Sequence, residues 1–165
     1  MAPLTPTRLT WIVGPPGAGK TTLADGLRDR YRVVELTELL GPLVDPVRMR
    51  KGILGANARL VELVRHLELH PENRGLAPLV VVAGIVEETA LFPLVDHGES
   101  VWLVLPAKAR WLHQLMSRPA GADRGGAYDD YGYAETWYDR FSNWTGRGLP
   151  VQELVPDLQP ALIGK

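Results

Sequence analysis

Apolar residues fall along this chain in two spacings. Short runs of strand length occur at residues 8–13, 31–36, 79–83, 100–105 and 151–155. The run from Leu79 to Ile85 is the longest; its unbroken apolar character predicts a strand buried on both faces, as in a parallel sheet. Between these runs the period becomes helical. Residues 21–30 read as one helix. From Val47 to about His70, Ile53, Leu60, Val64 and Leu67 share a face supported by Leu54 and Val61, while Lys51, Arg59, Glu62 and Arg65 fall mainly elsewhere. Residues 87–95, 107–116 and 134–144 complete the helical set. Gly41-Pro42, Asp45-Pro46, Pro71, Pro106 and Pro156 punctuate the order. Residues 117–133, rich in Gly, Asp, Arg and Tyr, read as a loop or flap.

Strands alternating with helices predict an α/β fold. The expected architecture is a three-layer α/β/α sandwich around a mainly parallel five-stranded sheet, with ligand at the carboxyl ends of the strands. At 165 residues the expectation is a single domain spanning 1–165.

The stretch Gly14-Pro15-Pro16-Gly17-Ala18-Gly19-Lys20-Thr21-Thr22 adds chemistry to this frame. It fits G-x-x-x-x-G-K-[ST] between a strand and a helix, the context that a P-loop requires. Glycines let the backbone turn its N–H groups toward phosphate oxygens, and the following helix start adds positive charge. Lys20 is placed to reach the β- and γ-phosphates, and the Thr21 hydroxyl to ligate Mg²⁺. The pattern predicts a P-loop NTPase fold that binds a nucleoside triphosphate with Mg²⁺.

Composition narrows the partners. The apolar fraction is 45% and the charged fraction 22%, ordinary for a globular protein. A net charge of −1 gives no general electrostatic case for nucleic acid or membrane binding. There is no cysteine, so disulfides and thiol chemistry are excluded. Residues 1–8 hold no apolar core of a signal peptide, and no run reaches the length of a membrane span. The expected location is cytoplasmic.

Other motifs sort the P-loop classes. The guanine-reading N-K-x-D string is absent, and Asp123-Arg124-Gly125-Gly126 fits D-x-x-G only after the fourth strand. The L-S-G-G-Q signature of transport ATPases is also absent, as is any Asp-Glu dipeptide. In element order and P-loop the chain resembles the P-loop kinase superfamily of adenylate, shikimate and gluconate kinases and chloramphenicol phosphotransferase. The resemblance implies ATP-dependent transfer of a γ-phosphate to a hydroxyl of a small molecule: a metabolite, a nucleoside or nucleotide, or an antibiotic. It also implies a carboxylate at the end of the second strand that orients the acceptor hydroxyl. Leu36-Thr37-Glu38-Leu39-Leu40 looks like that segment, with Glu38 in the carboxylate position and Glu35 as the competing choice. Arg118 and Arg124 lie where the family's flap closes over the phosphates, and Arg110 lies on the preceding helix. Guanidinium forks suit phosphate oxygens, although surface arginines are also commonly just solvated.

One departure stands out. Many P-loop proteins end the third strand with a Mg²⁺-binding Asp, where this chain has Ala83. Glu87 and Glu88 are candidate substitutes, or simply acidic residues of a helix's first turn. The missing Asp mildly favours a different class, a nucleotide-dependent switch; a polynucleotide kinase would need a basic track that is not present. On the acceptor side, Arg48, Arg50 and Lys51 form a small basic cluster that could clamp an anionic acceptor or merely solvate a helix start. Tyr128, Tyr131 and Tyr133, beside Asp129 and Asp130, are candidates to stack on an acceptor ring or the nucleotide base. His66 and His70 share a helix face but lack further ligands for a metal.

Overall fold

In the computed structural model the described residues are 4–40, 52–96, 98–117 and 131–154. Two apolar runs build the centre: β1 (Leu9–Val13) and β3 (Leu79–Ala83) are buried at every position, which requires cover on both faces. Beside them lie β2 (Arg32–Glu35), β4 (Glu99–Val104) and β5 (Gln152–Leu154). The spatial order is β2-β3-β1-β4-β5, and every pairing is parallel. Val13 therefore ends the central strand opposite both Ala83 and Leu103. Parallel neighbours need crossovers, supplied by α1 (Lys20–Asp25), α2 (Ile53–Glu68), α3 (Glu88–Leu91), α4 (Lys108–Met116) and α5 (Tyr131–Gly146). Right-handed crossovers put α1 on one face, because β1 to β2 steps one way along the sheet. They put α2 and α3 on the other, because the next steps reverse. This is the expected α/β architecture with five parallel strands.

Four tryptophans, Trp11, Trp102, Trp111 and Trp144, are fully buried in the core with Phe141. Helix α5 buries Ala134, Trp137, Tyr138, Phe141 and Trp144, and the Trp144 ring meets Phe92 edge-on at 5.1 Å. Charged clamps lie at the amino ends of the strands, away from the P-loop. Arg32 donates through both terminal nitrogens to Glu68, at 3.0 and 2.5 Å, tying β2 to the end of α2. Arg65 donates to Glu99 at 3.0 Å and Asp96 at 2.7 Å, tying α2 to the start of β4. Among the described residues no helix is long and apolar enough to cross a membrane.

Three boundaries differ from those read in sequence. Helix α1 stops at Asp25 rather than near Arg30: from Gly26 onward the amides of Leu27, Arg28 and Arg30 reach back only three residues, and the chain tightens into turns. After β2 the chain makes a 3-10 segment, Leu36–Leu40, that carries Glu38. Tyr131 and Tyr133 were expected in the flap; they occupy the first turn of α5. The Thr136 hydroxyl bonds back to the Gly132 carbonyl at 2.9 Å there, and the apolar face of the helix begins at Ala134. Val47–Lys51, at the start of the expected second helix, lies outside the described residues, as does most of the flap.

Candidate active site

The loop from Gly14 to Gly19 joins the end of β1 to α1, at the carboxyl edge of the sheet where the crossover direction reverses. Its first glycine is fixed by packing: a Cβ on Gly14 would stand 2.4 Å from the Val104 carbonyl oxygen of β4. Gly17 and Gly19 hold φ of 79° and 96°, a left-handed conformation that other residues adopt only with strain. Pro15 and Pro16 have no N–H, so past Gly14 the donors of the loop and the helix start are those of Gly17 to Thr22. The Ala18 amide donates to the Pro15 carbonyl at 3.2 Å and closes the arch. Lys20 opens α1 with its side chain folded inward; its Nζ donates to the same Pro15 carbonyl at 2.8 Å, and the residue is only 8% exposed. The buried Trp111 Nε1 donates to the Pro16 carbonyl at 2.6 Å.

Register decides which second-strand carboxylate meets this loop. Glu35 is the last residue of β2, opposite Val82 of β3. Its Oε1 accepts from the Thr21 hydroxyl at 2.8 Å. Glu38 sits on the 3-10 segment, exposed. The Arg28 guanidinium pKa is raised, first by its hydrogen bond to Asp25 at 2.8 Å, with the fields of Glu38 and Glu35 adding to it. Because Glu35 ends β2 and Glu38 lies on the 3-10 segment that follows directly, both stand on one acidic edge beyond β2. At the third strand Ala83 is followed by Gly84, where a Cβ would touch Lys20 Nζ at 3.5 Å. Small residues here leave the ammonium room. Nearby, buried Asn57 of α2 donates from Nδ2 to the Ile85 carbonyl, and its Oδ1 has no hydrogen-bond partner.

Glu87 and Glu88 are engaged elsewhere. Arg140 of α5 pairs with Glu87 at 3.1 Å and donates to Glu88 at 3.2 Å, and Arg147 donates to Glu88 at 2.8 Å. The Arg140 guanidinium also lies over the Trp137 ring, 5.1 Å from its centroid. Burial alone would raise the Glu88 carboxyl, but its own backbone N–H, Arg147 and Arg140 together hold it below its ordinary value. The pair thus fastens α5 to the start of α3.

The remaining candidates divide by location. Arg110 is on α4 and exposed, and Tyr131 is 49% exposed at the start of α5. Arg48, Arg50, Lys51, Arg118, Arg124, Tyr128, Asp129 and Asp130 lie outside the described residues. His70 Nδ1 accepts from the Glu72 amide at 3.3 Å and caps a short 3-10 turn. Among the described residues no three His, Asp or Glu side chains gather as a metal cluster. Sequence reasoning missed the partners of Trp111 and Arg140. A tryptophan and an arginine at helical spacing carry no signal of a partner distant in the chain.

No protein-family model matches the chain, and no curated protein matches it. Solved structures do. A sugar kinase from Janibacter sp. HTCC2649 is similar, with 14% identity over 97% of this chain and 100% of its own, and a TM-score of 0.56. A shikimate kinase from Bacteroides thetaiotaomicron shows 14% identity over 90% of this chain and 86% of its own, with a TM-score of 0.58. A deoxyadenosine kinase from M. mycoides with bound dATP shows 13% identity over 90% and 91%, with a TM-score of 0.50. With its loop at the end of the central strand and its five parallel strands, the chain has the P-loop kinase fold.

Proposed function

We propose that this protein is an ATP-dependent phosphotransferase that moves the γ-phosphate to a hydroxyl of a small molecule. The observation that carries this reading is the contact between Thr21 and Glu35 beside the inward-folded Lys20. It places two hard oxygen donors and one ammonium around a single loop. That set suits Mg²⁺ and a triphosphate, because Mg²⁺ prefers oxygen ligands and keeps part of its water shell. Thr21 and Glu35 would hold the ion, which when bound neutralises phosphate charge. The amides of Gly17 and of Gly19 to Thr22 cradle the phosphates, and Lys20 leans onto the β- and γ-oxygens.

Phosphoryl transfer asks mainly for alignment and charge neutralisation. Glu38, on the acidic edge beyond β2, orients the acceptor hydroxyl and takes its proton. Arg118 and Arg124 close over the phosphates, with Arg110 supporting the nucleotide. Arg48 and Arg50 bind the acceptor, and the exposed Tyr131 ring packs against it. The similar structures bear the names of sugar, shikimate and deoxyadenosine kinases, so the fold leaves the choice among metabolite, nucleoside and antibiotic acceptors open. The case for a switch leaned on the missing Asp at Ala83. Glu35 beside Thr21 offers the same chemistry from the neighbouring strand and removes that support.

The test is label transfer. The protein is incubated with γ-labelled ATP, Mg²⁺ and pooled small-molecule extract, alongside Lys20→Ala. Acceptor-dependent labelled product from the wild type alone supports the kinase reading. Slow free phosphate with no labelled product overturns it in favour of a switch.

A further inference from the structure

We propose that Trp111 is a positioning residue for the nucleotide loop, acting through the Pro16 carbonyl. This rests on the triphosphate-binding reading above. A phosphate cradle works only if amide N–H groups face the anion and carbonyl oxygens face away, since a carbonyl turned inward would repel it. Pro15 and Pro16 give that requirement a local form. They bring two carbonyls and no N–H to the arch. The Pro15 carbonyl is held by two donors, Lys20 Nζ at 2.8 Å and the Ala18 amide at 3.2 Å. The Pro16 carbonyl is held by Trp111 Nε1 at 2.6 Å, a bond buried on both sides.

The indole is itself fixed. Trp111 is 0% exposed on the inner face of α4. Its ring packs against Tyr138 of α5, with centroids 4.6 Å apart. The Tyr138 hydroxyl donates to the Pro106 carbonyl at 2.6 Å, just past the end of β4. The indole N–H is therefore aimed by α4, α5 and the turn after β4. It is a preorganised donor, and it holds the carbonyl in place before nucleotide arrives. In the low dielectric of a buried site, losing this bond leaves the Pro16 oxygen unpaired and free to rotate toward the phosphates. A purely structural tryptophan would predict a different result: lost packing with unchanged nucleotide affinity.

Trp111→Phe separates the two, because it keeps a ring against Tyr138 and removes the N–H. Affinity for a non-hydrolysable ATP analogue with Mg²⁺ is measured by calorimetry, with the unfolding midpoint measured without nucleotide. The expected result is an affinity about 5–10-fold weaker, the size of one buried hydrogen bond, with the Kd shift far exceeding any change in folded fraction. An unchanged Kd overturns the proposal, whatever happens to the midpoint. If the variant fails to fold, the wild-type protein supplies the test. The Trp111 indole N–H resonance should be protected from solvent exchange and should shift when the analogue binds; a resonance that stays put overturns the proposal. A wild type that binds no analogue overturns the nucleotide reading itself, and this proposal with it.

Discussion

The Thr21 hydroxyl and the Glu35 carboxylate meet at 2.8 Å across the gap between α1 and β2. Fourteen positions of sequence separate them, and parallel register of β2 on β3 closes the distance. In the proposed reading this contact would supply, from the second strand, the acidic oxygen that Ala83 does not offer from the third.

Glu35→Gln keeps the shape and removes the charge. The Mg²⁺ concentration for half-maximal turnover should rise by about 10–100-fold, the usual cost of disturbing a metal's ligand environment. A Mg²⁺ titration of label transfer checks it. An unchanged titration would remove Glu35 from the metal role.

Glu38 stands on the same acidic edge but does a different job in the proposed chemistry. Glu38→Ala should lower kcat by about 100-fold or more, the contribution of a positioned base, and leave the Kd for an ATP analogue unaltered. Equal losses in both quantities would assign Glu38 to the nucleotide side instead.

Gly14 and Gly84 form a matched pair for the packing of the loop. Gly14→Ala forces a Cβ to 2.4 Å from a backbone carbonyl, which cannot yield as a side-chain tip can. A cost of about 1–3 kcal/mol is expected for overpacking, or roughly 2–4 °C in the unfolding midpoint per kcal/mol at this chain length. Gly84→Ala makes only an ordinary 3.5 Å contact with Lys20 Nζ. It should leave the midpoint nearly unmoved. Equal thermal losses in the two variants would contradict this geometry.

Glu88 links stability to acid. Burial opposes its charge, but its own backbone N–H, Arg147 and Arg140 hold the folded carboxyl below its ordinary value of 4.5. A depressed carboxyl contributes stability that is fully present above the unfolded value and lost as pH falls through the lower, folded one. Wild type should therefore lose stability below about pH 4.5 more steeply than Glu88→Gln. At neutral pH the variant should be less stable by about 1–2 kcal/mol. Denaturant titrations between pH 3 and 7 check it, and parallel curves for the two proteins would refute it.

Much of this was legible in the chain. The continuous apolar run Leu79–Ala83 announces a strand covered on both faces, and the loop motif between a strand and a helix announces its own geometry. The choice between Glu35 and Glu38 was not legible. Both lie near the end of the second strand, and only the register against Val82 and the 3-10 turn that follows decide which reaches Thr21. Tyr131 and Tyr133 were misplaced because Asp129, Asp130 and Gly132 look like loop, while the buried face from Ala134 to Trp144 extends the helix back over them. The bond from Trp111 to Pro16 was not legible, because the partners are 95 residues apart.

The strand order has a kinetic side. β1, the root of the nucleotide loop, is hydrogen-bonded on both flanks and wholly buried, whereas β2, which carries Glu35 and leads to Glu38, pairs with β3 alone and is only half-buried. Partial opening of a fold starts where pairing and burial are least. In the proposed reading, local opening would therefore reach the Glu35 and Glu38 carboxylates at the end of β2 before it reaches the root of the loop on β1.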